Sequence, residues 1–127
     1  MPQTIANILG QKLCGISLKK SEFISSKNEI IADEIVFHFD EIILQIRPLS
    51  DTDELQLSIL DSPPNNTILY NYKGLNNFIG KQLVYTWKGI NSQGYFDLFT
   101  LAFEYITPNI SIVCEGSALK ILIMKSI

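Results

Sequence analysis

Side chains that carry chemistry are scarce in this chain of 127 residues: it has one histidine, His38, and two cysteines, Cys14 and Cys114. His38 lies mid-strand with no cysteine or carboxylate at ligand spacing, which argues against a metal centre or an imidazole base. No Gly-x-Ser-x-Gly elbow is present, and neither cysteine has the setting that a thiolate nucleophile needs. Seven glycines are scattered over turns, and none forms a phosphate-cradling loop ahead of a helix. Asp51-Thr52-Asp53-Glu54 lacks the central glycine and the distal glutamate of a calcium loop. The expectation is a protein that is not an enzyme, with no catalytic residue, no metal and no cofactor.

Long apolar runs are also missing. None approaches the ~18 residues of a membrane span, and Met1-Pro2-Gln3-Thr4 has no basic start of a secretory signal. A cytoplasmic protein without membrane contact is expected, with both cysteines reduced. A disulfide between them would require both to face one point, which spacing does not show.

Charge is uneven. The formal net charge is −3, but residues 1–64 hold ten of the thirteen acids and five of the ten bases. Between Glu29 and Asp61 there are nine acids against one base, Arg47. Such a stretch repels nucleic acid and anionic membranes and attracts a basic protein surface. A solvated face that keeps the protein soluble is the plainer reading.

What the sequence does contain is one β-rich unit written twice. Leu9-Gly10-Gln11-Lys12-Leu13 returns as Ile79-Gly80-Lys81-Gln82-Leu83. Asp33, Ile35, Phe37 and Phe39 return as Asp97, Phe99, Leu101 and Phe103. Ile42, Leu44 and Ile46 match Ile110, Ile112 and Cys114, and Leu55, Leu57 and Ile59 match Leu119, Ile121 and Ile123. Apolar residues alternate with period 2 through these runs, the mark of half-buried strands.

Asp61-Ser62-Pro63-Pro64-Asn65-Asn66 is the strongest break. The chain therefore reads as one domain over residues 1–127: unit 1 at about 9–60, a linker at 61–78, unit 2 at about 79–127. Strands are expected at 10–18, 31–39, 41–47, 54–60, 81–88, 95–104, 110–115 and 118–124. Residues 21–28 read as a loop, 67–72 as a short linking strand, and 3–9 and 73–79 as short helical turns. The fold class is mainly β: a duplicated four-strand antiparallel meander forming a sandwich or flattened barrel.

The outer faces of the two units differ. Unit 1 directs His38, Asp40, Gln45, Arg47, Gln56 and Ser58 outward. Unit 2 directs Leu98, Ala102, Val113, Leu122 and Met124 outward, an apolar face that wants a cover. That cover is an N-terminal segment of the chain, a partner protein or a second copy.

Tyr85 to Asp97 is the densest constellation, with the only tryptophan, Trp87, two tyrosines, Asn91 and Gln93 around a hairpin-length loop. Two roles stand. Trp87 and Tyr95 are rigid anchors for recognition, with Asn91 reading hydrogen bonds; or Trp87 caps the core and Asn91 and Gly94 hold positive-φ turn positions.

The run Trp87-x3-Asn91-x-Gln93-Gly94-Tyr95-x-Asp97, followed by Leu101-x-Phe103-Glu104 and Ser117-x-Leu119-Lys120-Ile121, resembles a family of small bacterial proteins of unknown function. Gly10-Gln11-Lys12-Leu13, Asp33-x-Ile35-x-Phe37 and Asp53-x-Leu55 fit the same outline. The resemblance implies a bacterial intracellular β-rich domain and transfers no catalytic residue. Small acidic bacterial proteins of this build are also similar, as a class, to immunity proteins that neutralise toxins.

Together these readings point to a non-enzymatic protein-binding protein, monomeric or weakly dimeric, most specifically an immunity protein for a basic bacterial toxin. Its expected contacts are Asp33, Glu34, Asp40, Glu41, Asp51, Asp53 and Glu54, with Trp87, Asn91 and Tyr95. A small-ligand or scaffold domain using the Trp87 loop or the apolar outer face is the alternative.

Overall fold

The computed structural model describes residues 5–19, 23–26, 29–49, 51–62, 68–69 and 73–124. Two antiparallel sheets face each other across one apolar core. The first holds β1 (Leu13–Lys19), β4 (Glu34–Phe39), β5 (Ile43–Leu49), β6 (Glu54–Leu60) and β7 (Ile68–Leu69), in the order β6-β5-β4-β1-β7. The second holds β2 (Phe23–Ser26), β3 (Glu29–Ala32), β8 (Leu83–Ile90), β9 (Phe96–Phe103), β10 (Ile110–Glu115) and β11 (Ala118–Ile123), in the order β2-β3-β11-β10-β9-β8. Helix among the described residues is limited to a 3-10 turn at Ile5–Ile8 and α1 (Lys73–Asn76).

Period-2 alternation decides which side chains meet. Leu18, Ile35, Ile46 and Leu57 stand in register across the first sheet, and Phe99, Ile112 and Ile121 across the second. All but half-buried Leu57 are buried in one cluster. Burying such side chains contributes about 1.5–3 kcal/mol each relative to exposure, which is what holds the two sheets together.

Each sheet contains one four-strand meander, and the two are related by hydrogen bonds that exchange places. Gly10 N–H donates to Leu83 O at 2.7 Å, and Gly80 N–H donates to Leu13 O at 2.7 Å. Leu13 N–H donates to Lys81 O, and Leu83 N–H to Gln11 O. Asp40 N–H donates to Lys12 O, and Glu104 N–H to Gln82 O. Lys12 and Gln82 form the bridge at the centre of this seam. Gly10 and Gly80 take φ of 89° and 92°, a conformation side chains with a Cβ avoid. The repeated Gly in Leu-Gly-Gln-Lys-Leu and Ile-Gly-Lys-Gln-Leu therefore builds the seam.

The structure corrects three sequence readings. Residues 21–28 are not simply a loop, since Phe23–Ser26 forms β2. The expected single strand 31–39 is two strands, because the chain bends at Asp33 and sends β3 to the second sheet and β4 to the first. These two changes turn the nine expected strands, the short one at 67–72 included, into eleven among the described residues. The third strand of the repeat is also displaced. Phe37 pairs with Leu44, and its equivalent Leu101 pairs with Ile110, so Leu44 matches Ile110 rather than Ile112. A slip of two residues keeps every side chain on its own face, so the alternation carries no signal of it.

Candidate functional site

Strand direction sorts the predicted contacts between two ends of the sandwich. Asp40 and Glu41 lie in the turn before β5, whereas Asp51, Asp53 and Glu54 lie after it. The seven residues of β5 separate the two groups by about 20 Å at a strand's rise per residue. The nine acids of Glu29–Asp61 therefore do not form one patch, contrary to the simplest reading of the sequence.

The end beyond β5 is where connections gather. Ser117 N–H, in the β10–β11 turn, donates to Asp53 Oδ1 at 2.9 Å. These are equivalent turns of the two units, and both Asp53 and Ser117 have positive φ, 53° and 63°. Phe96 N–H, at the start of β9, donates to Glu54 Oε2 at 3.4 Å, and Thr52 Oγ1 donates to Glu54 Oε1 at 2.7 Å. Asp33 closes the β3–β4 bend at this end as well, its N–H donating to Lys19 O.

The hairpin joining β8 to β9 completes the end. Asn91 Oδ1 accepts from Gln93 N–H and Tyr95 N–H at 2.9 and 3.2 Å. Asn91 Nδ2 donates to Asp97 Oδ2 at 3.2 Å. Gly94 sits at φ 89° with its N–H on Asn91 O. The side chain of Asn91 thus holds the loop together and presents Asp97. Ser92 and Gln93 are its exposed tip.

Cys114 registers the charge of this end. Its buried thiol is pushed up to about 11, first by burial and then by the negative charge of Asp53, with Asp97 adding to it. The thiol is protonated at neutral pH, which removes it as a nucleophile.

Other predicted residues have different surroundings. Glu34 is 6% exposed on the outer face of the first sheet, with Oε2 accepting from Gln45 Nε2 at 3.0 Å. It does not offer a solvent-facing charge as expected. Asp40 accepts from Cys14 Sγ at 3.0 Å, and this bond, burial and the charge of Asp40 raise the thiol's pKa. Glu41 is exposed, and its N–H donates to Gln11 Oε1. Trp87 points to neither the loop tip nor the core. It lies on the outer face of the second sheet beside Tyr85, with ring centroids 4.9 Å apart.

Two polar contacts were not anticipated. Ser17 Oγ and His38 Nε2 are 2.8 Å apart on the outer face of the first sheet. Burial lowers the pKa of His38, so its imidazole is neutral at pH 7. Thr100 Oγ1 and Ser111 Oγ are 2.8 Å apart on the outer face of the second sheet. Placing these residues on the polar phase of their strands was possible from sequence; finding their partners required the register. Among the described residues, no group of three or more His, Cys, Asp or Glu side chains is placed to hold a metal ion.

One family model matches the chain over residues 1–127. The chain belongs to a family of unknown function (DUF6334). Membership of this family covers both meanders and the linker between them. No curated protein and no solved structure matches the chain. No helix among the described residues is long and apolar enough to cross a membrane.

Proposed function

We propose that this protein is a non-enzymatic binding protein whose partner presents a basic protein surface. In its most specific form, that partner is a basic bacterial toxin domain and the protein is its cytoplasmic immunity protein. The carrying observation is the end at which the β5–β6 turn, the β10–β11 turn and the β8–β9 hairpin converge. It gathers Asp53 and Glu54 of unit 1 and Asp97 of unit 2, with Asp51 in the same turn as Asp53. Asp53 and Glu54, each held by a backbone N–H of the other unit, set up a negative field with little reordering on binding. Such a field raises the rate of encounter with a cationic partner and is screened by salt.

The test uses amides at three positions. Asp51→Asn, Asp53→Asn and Glu54→Gln together remove the charge but keep an acceptor for Ser117 N–H and Phe96 N–H. Wild-type protein is used to capture its partner from native lysate, and the partner is identified by mass spectrometry. A single stoichiometric basic protein is expected, whose association with the triple variant is about tenfold slower at low salt and loses most of its salt dependence. Equal association rates and salt slopes for the two proteins would reject the acidic end as the contact.

A further inference from the structure

Among the described residues, duplication leaves one strand edge filled and its counterpart open. β1 and β8 are equivalent at an offset of 70 residues, as the bonds around Lys12 and Gln82 require. Along an antiparallel strand, backbone groups turn alternately towards one neighbour and away from it. Leu83 directs its N–H and C=O away from β9, to Gln11 and Gly10, while Asn91 N–H bonds Tyr95 O inside the hairpin. Between these fixed points the register turns Thr86, Lys88 and Ile90 away from β9. On β1 the same alternation turns Leu18 away from β4, and there β7 pairs: Leu18 with Ile68, Ser17 with Leu69. The equivalents of Leu18 and Ser17 are Lys88 and Trp87. Among the described residues nothing pairs with them, and β8 is the last strand of its sheet.

This edge has chemistry as well as free backbone. On the outer face, Tyr85 is 46% exposed and packs on Trp87. The next residue on that face, Gly89, has no side chain. A Cβ there would come within 2.8 Å of Leu98, so Leu98 lies across it and extends the aromatic pair into an apolar ledge. On the other face Lys88 is exposed, and Ile90 is 66% exposed. Two copies pairing about Lys88 would set like charges directly opposite each other, a standard guard on open edges. An acidic residue in that position turns repulsion into attraction.

We propose that the free edge of β8 accepts an extended segment of a partner protein as an added antiparallel strand. An acidic side chain of that segment faces Lys88, and the apolar residue next to it lies on the ledge of Tyr85, Trp87 and Leu98. The molecule's own β7 on β1 is the template for this recognition by strand addition. The inference does not rest on the acidic end and survives its failure.

The probe is a capped peptide of the chain's own residues 64–73 carrying Ile68→Glu, with an Ile68→Lys peptide as control. By the β1–β7 register, position 68 faces Lys88 and Leu69 faces Trp87. Trp87 is the only tryptophan, so its fluorescence reports on the edge directly. The Glu peptide is expected to bind saturably, about fivefold more tightly than the Lys peptide. Amide shifts should be largest at Thr86, Lys88 and Ile90, and Lys88→Glu should reverse the preference. Lys88→Pro removes an outward N–H, which an edge strand tolerates, and should weaken binding while leaving the β8–β9 ladder intact. No saturable binding, equal affinity for the two peptides, or shifts confined to β1 would each overturn the proposal. A wild-type dimer that Lys88→Pro dissociates would overturn it in favour of a second copy.

Discussion

The outer faces of the two meanders begin from the same pairing pattern and end in different chemistry. Ser17, Glu34, His38, Gln45 and Arg47 on the first sheet correspond by register to Trp87, Leu98, Ala102, Ser111 and Val113 on the second. The first face is polar and internally bonded, through Ser17 with His38 and Gln45 with Glu34. The second is apolar and aromatic, with Thr100 and Ser111 satisfying each other. The inner faces of both units are apolar except towards the end of β8, where Thr86 and Lys88 lie on that side. The comparison teaches that one half of the repeat's alternation is fixed by the shared core, while the other half is free to diverge. Divergence of use is therefore to be sought on outer faces, edges and turns.

The largest test of this equivalence lies at the seam. Leu13 and Leu83 are both fully buried on either side of the Lys12–Gln82 bridge. Leu13→Ala and Leu83→Ala should each lower unfolding free energy by about 2–5 kcal/mol in urea titrations. If the halves are equivalent, the two losses should agree within about 1 kcal/mol. A wider gap would mean that one half carries the fold.

Gly10→Ala and Gly80→Ala make the same comparison on the backbone. Nothing lies within 4 Å of a Cβ at either position, so the cost is conformational and not steric crowding. Each should destabilise by about 1–2 kcal/mol, again as a matched pair. A neutral result at one site would show that the φ near 90° is not required there.

A smaller effect sharpens the contrast between His38 and its counterpart Ala102. Burial holds the folded pKa of His38 below its unfolded value. Above about pH 6.5 both states are neutral at this position and the contribution is constant. As pH falls through that value, the unfolded chain takes up a proton that folded His38 resists, and stability is lost until the lower folded pKa is passed. His38→Gln should therefore shrink the fall in urea midpoint between pH 7.5 and 5.5. An unchanged pH profile would place the loss elsewhere.

The smallest effect concerns the thiols. Cys14 is exposed yet held protonated by its bond to Asp40, while Cys114 is buried, with its pKa at about 11. Asp40→Asn should speed alkylation of Cys14 by iodoacetamide at pH 8 severalfold, with Cys114 unreactive in both proteins. Mass spectrometry of the labelled peptides distinguishes the two sites.

Much of the fold was legible because its determinants are local. Ile35, Phe37 and Phe39 recur with period 2, and Gly10 and Gly80 mark matching turns. The meander and its duplication follow from that. The β2–β3 hairpin was not legible, since residues 31–39 read as one strand and only Asp33 marks the bend. The two-residue slip at β5 was invisible for the reason that period 2 is blind to it. Of the contact residues, the grouping of Asp51, Asp53 and Glu54 could be read from their adjacency. The proximity of Asp53 and Glu54 to Asp97, and the distance of Asp40 and Glu41 from them, could not.

The sequence by itself determined two meanders of alternating strands, the repeated glycine-bearing pentapeptide and a strongly acidic middle, because composition and period act over a few residues. Tertiary structure alone decided that β3 crosses to the second sheet, that Gly10 and Gly80 meet across the seam, that Glu34 is buried against Gln45, that Ser117 reaches Asp53, and that β1 gains a strand where β8 has no further neighbour among the described residues. Those outcomes depend on which strands find one another across dozens of residues. That choice is made by burying both inner faces at once and pairing the backbone groups this exposes, and no local pattern encodes it.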